Sequence, residues 1–295
     1  MKILNLFQFA VCIILFGLIV LGAGVRLADA GLSCPDWPLC YGKVIPVFDT
    51  KIFLEWFHRV IAGLIGILAL GLTISFFVKK NIPSSVRKLS VLSLTLFFVQ
   101  AFLGQQTVIQ LLRGEIVAAH LIGGYLLFAV NLFILFRLKI QRVFTVPLDE
   151  NRLRNLRLFF TTLSFVAIFQ ATLGGVVSSH YAGLVCPDFP TCYGSWWPGF
   201  SGLIGIQFTH RLTAFVLLFA SFIGAGLFLR RKVDQTIGKS FYLLMFLLSL
   251  QIIFGASMIF QKVHPFLSLL HSATSLAIFT TLLVGTNRVW FGKNI

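Results

Sequence analysis

Long apolar runs, broken by short polar stretches, alternate along the whole chain. Runs able to cross ~30 Å of hydrocarbon at ~1.5 Å per residue predict eight spans: about 3 to 25, 53 to 78, 86 to 110, 116 to 138, 154 to 177, 204 to 230, 239 to 261 and 265 to 288. The runs are continuous, so they predict helices and not the alternating strands of a membrane barrel. The first run, within residues 1–25, has an apolar core too long for a signal peptide and no small-residue cleavage site, and reads as a span.

The pattern also repeats. Residues 31–42, GLSCPDWPLCYG, return as GLVCPDFPTCYG at residues 183–194, with nine of twelve positions identical. The same offset of 152 carries His58 and Arg59 onto His210 and Arg211, while His120 and His271 correspond at 151, as do Gln100 with Gln251 and Gly104 with Gly255. A period this long marks a doubled domain and not a short solenoid repeat. It covers four spans, an even number, which gives both copies the same orientation. The expected fold is an all-α membrane protein with eight transmembrane helices, arranged as two tandem, parallel-repeat four-helix bundles. The bundles are residues 1–140 and 154–295, joined by a basic cytoplasmic linker over 141–153.

Composition removes the soluble classes. Hydrophobic residues make up 58% of the chain and charged residues 11%, against roughly a quarter charged in soluble domains. The net charge of +15 is distributed unevenly. Lys79, Lys80, Arg87, Lys88, Arg137, Lys139, Arg142, Arg152, Arg154, Arg157, Arg230, Arg231, Lys232, Lys239, Arg288 and Lys293 fall on one side with Lys2, and only Arg26, Lys43, Lys51, Arg113 and Lys262 on the other. This is the positive-inside pattern of a bacterial cell membrane protein with both termini cytoplasmic. It calls for membrane lipid and no nucleic acid.

Two cysteine pairs, Cys34 with Cys40 and Cys186 with Cys192, lie in the large outer loops, while Cys12 lies within the first span. The outer face is oxidising, which favours structural disulfides, each closing a short loop worth about 2 kcal/mol. A redox role is the alternative, although neither pair has CxxC spacing.

Four histidines, His58, His120, His210 and His271, sit about 8 to 9 Å inside the outer ends of even-numbered spans. One such histidine can simply bond a neighbouring helix. Four at one level, two per bundle, mark a functional site. Small residues follow three of the four by one turn, Gly123 with Gly124, Thr213 with Ala214, and Thr274 with Ser275, leaving room for a flat macrocycle. Paired imidazoles in a bundle core suit axial haem ligation; zinc would need further ligands. Arg59 and Arg211 are placed to pair with haem propionates or with lipid phosphate. His180 and His264 do not repeat and read as surface residues.

The copies differ at one informative position, where Glu55 becomes Gln207. A carboxylate can move protons or stabilise positive charge and an amide cannot, so the first copy reads as the reactive one. The alternative is an ion pair between Glu55 and Arg59, four residues on.

The EWFHR motif at residues 55–59, THR at 209–211, the histidines His120 and His271 and the two loop cysteine pairs together resemble the haem A synthase family over essentially the whole chain. The resemblance implies oxidation of a haem O methyl to the formyl of haem A for terminal oxidases. It implies His58 and His120 as substrate-haem ligands, Glu55 as the catalytic acid, His210 and His271 as ligands of a resident haem b, and disulfides in both loops. An electron-transfer partner and the haem O synthase that supplies substrate would complete the system. A di-haem b quinol-linked electron carrier would use the same histidines without needing Glu55. A disulfide-handling enzyme would depend on the cysteines, and a transporter would need a span broken by proline, whereas Pro83, Pro147 and Pro265 all lie between spans.

Overall fold

The computed structural model describes residues 2–138, 144–230 and 232–292. Lys139, Arg142, Arg231 and Lys293 of the charge pattern, residues 141–143 of the expected linker, and both chain ends lie outside the described residues. Eight helices carry the described chain: α1 (Lys2–Leu27), α2 (Thr50–Val78), α3 (Ser84–Ile109), α4 (Gly114–Leu138), α5 (Glu150–Ser179), α6 (Gly202–Phe228), α7 (Gln235–Phe260) and α8 (Pro265–Phe291). All eight are long and apolar enough to cross a membrane. The protein is therefore a multi-pass, all-helical membrane protein.

Several helices begin before their apolar run does, because capping and not hydropathy sets the first turn. Asp49 accepts from the Ile52 N–H at 2.8 Å and starts α2 at Thr50. Asp149 accepts from Arg152 N–H at 2.9 Å and starts α5 at Glu150, inside the expected linker. Asp234 caps α7, and Pro265 opens α8 where its missing N–H costs nothing. At the other ends of α3 and α7, left-handed residues turn the chain: Leu111 and Leu112, then Lys262 and Val263.

The chain divides into two compact units, Met1–Ile140 and Gln141–Ile295. In the first, α1 packs on α2 and α4, and α3 packs on the same two. The second has the same ring, with α5 and α7 each packing on α6 and α8. The even-numbered helices therefore face each other across each bundle. Lipid is as apolar as these cores, so cohesion rests on close packing and interhelical hydrogen bonds.

The two cores are built differently away from the cysteine loops. In the first, Gln8 of α1 donates to the Asn131 side-chain oxygen at 3.0 Å, and Asn131 donates to Ser93 Oγ at 2.8 Å, so three helices share one buried polar network. In the second, Phe160, Leu244 and Leu282 stand at the corresponding positions, all fully buried, with the Phe241 ring tilted against those of Phe159 and Phe160. Arg288 instead makes a two-point contact with Asp234, at 2.9 and 2.6 Å, and Thr145 also donates to that carboxylate. Burial alone would raise the Asp234 pKa, but these hydrogen bonds and the Arg288 charge prevail and hold it at about 2.

Candidate functional site

His58 on α2 and His120 on α4 come from facing helices of the first bundle, as do His210 on α6 and His271 on α8 in the second. His58 lies within electrostatic reach of His120. The His210 and His271 rings stand 6.5 Å apart, tilted by 59°.

Each imidazole rests on a glycine of the preceding odd-numbered helix. A methyl group at Gly22 would stand 3.2 Å from His58 Cε1, one at Gly104 3.4 Å from His120 Cε1, and one at Gly174 or Gly255 3.2 Å from Cε1 of His210 or His271. A side chain at any of these positions would crowd the ring it faces. The Nδ1 atom of every one of the four is buried and makes no hydrogen bond. In the second unit, the carbonyls of Gln170 and Gln251 lie near His210 and His271 but outside hydrogen-bond geometry.

This arrangement fits haem. An imidazole nitrogen lies ~2 Å from a first-row metal, which puts the centroids of two axial imidazoles on one iron roughly 6 Å apart. The 6.5 Å separation of His210 and His271 is of that size. Among the described residues, no group of three or more His, Cys, Asp and Glu side chains is spaced to hold a metal ion. Two histidines per unit match the ligand number of a macrocyclic iron and fall short of the four of a structural zinc.

Above each pair sits a cysteine loop. Cys34 is bonded to Cys40, and Cys186 to Cys192, with Cα–Cα 4.7 Å in both. In each loop an aspartate organises the turn. Asp36 accepts from the Tyr41 and Gly42 N–H groups at 2.6 and 2.8 Å, and Asp188 accepts from Tyr193 and Gly194 at 2.6 and 2.9 Å. Tyr41 and Gly42 are left-handed, as are Tyr193 and Gly194, which is where the final glycine of the motif is required. Its hydrogen bond from Gly42 lowers the Asp36 pKa. The Thr191 hydroxyl and the Gly194 N–H take that of Asp188 to about 2.

Arg59 and Arg211 anchor these loops to their helices. Arg59 donates to the carbonyls of Asp36, Leu39 and Cys34 at 2.6, 2.8 and 3.0 Å, and Arg211 to those of Asp188, Thr191 and Cys186 at 2.8, 2.5 and 2.9 Å. Their Nη atoms are committed to the loop, whether or not a propionate or lipid phosphate also approaches.

The units diverge at the acid. Glu55 is 5% exposed; its Oε2 accepts from the Cys34 N–H at 2.8 Å and its Oε1 pairs with Arg59 Nη2 at 2.5 Å. One carboxylate thus joins the cysteine loop, the arginine and the helix that carries His58. Gln207 is equally buried but donates only to the Gly183 carbonyl, at 3.3 Å, and its Oε1 has no partner. Arg211 has no carboxylate in that place and lies instead over the Phe189 ring.

The sequence alone does not show that Gly22, Gly104, Gly174 and Gly255 touch the imidazoles. A signal was present: Gly22 and Gly174 share the offset of His58 and His210, and Gly104 and Gly255 share that of His120 and His271. His180 and His264 are exposed, as expected.

Comparison with known proteins agrees with this geometry. The chain is 35% identical over 196 residues to the Heme A synthase of Shewanella oneidensis, covering 60% of this chain and 58% of that relative. It is 32% identical to the Heme A synthase of Shouchella clausii over 68% of this chain and 67% of the relative. With the Heme A synthase of Alkalihalophilus pseudofirmus it shares 28% identity over 88% and 89%. Residues 5–283, from the start of α1 almost to the end of α8, match the family described as cytochrome oxidase assembly protein, and the chain belongs to that family.

Proposed function

We propose that this chain makes haem A from haem O, oxidising a porphyrin methyl to a formyl group in two steps for use by terminal oxidases. The observation that carries the reading is a buried acid beside only one of two matched histidine pairs, in a chain whose relatives are named Heme A synthase. His58 and His120 would hold the substrate haem O, and His210 and His271 would hold a resident haem b. When bound, haem b supplies reversible one-electron exchange with the substrate site and with an electron-transfer partner.

Glu55 takes or returns protons as the methyl becomes an alcohol and then a hydrated aldehyde that loses water, each oxidation taking up the oxygen of one water and releasing two protons and two electrons, the electrons to the electron-transfer partner. It also stabilises positive charge at the carbon being oxidised. The Cys34 N–H and Arg59 fix its position, and Gln207 cannot replace it. The cysteine loops face outward from a bacterial cell membrane and both termini face the cytoplasm, as the basic residues require. Haem O synthase supplies the substrate.

Glu55→Gln separates this reading from an electron carrier. Haem A content should fall by about 100-fold or more while haem O stays bound. Unchanged haem A would overturn the reading and favour a di-haem b carrier linked to quinol.

A further inference from the structure

Gln100 lies one turn before Gly104, the glycine that seats His120, and is 9% exposed. Its Nε2 is buried and has no hydrogen-bond partner. A membrane core offers no water to satisfy such a donor, so an unmade bond there is costly. The amide lies across Gly123 and Gly124, one turn beyond His120 on α4. A Cβ at Gly123 would fall 1.9 Å from Nε2, and one at Gly124 3.9 Å from Oε1. The glycines thus clear the space this amide occupies, beside the first histidine pair.

The second unit closes the same place. Thr274 and Ser275 replace the two glycines, and the Thr274 hydroxyl is used on the Leu270 carbonyl at 2.7 Å. Gln251 is partly exposed, and the fully buried unpartnered atom of its amide is the acceptor Oε1. A sealed, unsatisfied amide donor beside side-chain-free helix surface is therefore a property of the first unit's glutamine and not of its counterpart.

We propose that Gln100 is a specificity-determining residue, whose amide donates a hydrogen bond to an oxygen-bearing substituent of the macrocycle held by His58 and His120. This rests on the haem O reading above. Haem O carries a hydroxyl on its isoprenoid side chain and haem b has none, so the bond selects the substrate over the resident pigment. Gln251, in a unit where Thr274 and Ser275 replace the two glycines, makes no such distinction.

The test uses the full chain in detergent with the second site filled. Haem O or haem b is titrated into wild type, Gln100→Leu and Gln251→Leu, following the Soret band. Gln100→Leu should weaken haem O binding by roughly three- to tenfold, the worth of one hydrogen bond, and leave haem b binding unchanged; Gln251→Leu should alter neither. An equal loss for both haems, or no loss for haem O, overturns the proposal. Thermal unfolding before haem O is added supplies a second readout: Gln100→Leu should melt no lower than wild type, and a lower melting point would reveal a structural partner and also overturn it. A wild-type chain that takes up no haem O at the first pair instead overturns the reading on which the proposal rests.

Discussion

The first and second units share helix order, cysteine loop, arginine anchor and glycine-seated histidines, yet differ in what surrounds them. In the first, Glu55 links Arg59 to the Cys34 N–H, Gly123 and Gly124 make way for the Gln100 amide, and Gln8, Ser93 and Asn131 form a buried polar network. In the second, Gln207 leaves Oε1 without a partner, Thr274 and Ser275 replace the two glycines, and the polar network becomes Phe160, Leu244 and Leu282. The scaffold common to both suits holding a macrocycle. The differences add to the first copy a buried acid tied to its cysteine loop and a glutamine amide laid over two glycines.

The largest stability effect should separate the two arginines. Arg59→Ala leaves the buried Glu55 carboxylate without its countercharge and should cost about 3–5 kcal/mol. Arg211→Ala strands only neutral carbonyls, with Asp188 half-buried and held by its own loop, and should cost about 2 kcal/mol. Equilibrium unfolding of the two variants side by side checks this, and equal costs would mean that the Glu55 pair adds nothing to the shared anchor.

A smaller effect should appear in acid. Asp234 is held at about 2 against an ordinary 3.8, so its interactions stabilise the second unit fully above pH 3.8. That contribution, about 2 kcal/mol, is lost as pH falls from 3.8 through about 2. Its counterpart in the first unit is Pro83, which does not titrate. Asp234→Asn should therefore flatten the loss of stability between pH 4 and 2, measured by thermal melting; an unchanged slope would show that Asp234 is not the group responsible.

Much of this was readable from the chain. Eight apolar runs placed every helix to within about four residues, and the misses lie at polar first turns such as Thr50 and Glu150, which a hydropathy pattern does not register but Asp49 and Asp149 cap. The histidine pairs and Glu55 stood out because the copies could be compared position by position. Contacts between helices were not readable, since a sequence carries no interhelical register. Gln8, Ser93 and Asn131 are three isolated polar residues until α1, α3 and α4 meet. Arg59 and Arg211 invite a phosphate or propionate partner from sequence because their bonds go to backbone carbonyls, which any residue supplies.

The most direct test of the central claim is haem extraction, with pigments identified by mass, from purified wild type and from chains carrying His58→Ala with His120→Ala or His210→Ala with His271→Ala. The account predicts that the first pair of substitutions removes haem O and haem A and keeps haem b, while the second removes haem b and keeps haem O. A colourless wild type produced with ample haem, or the same pigment loss from both variants, would contradict it.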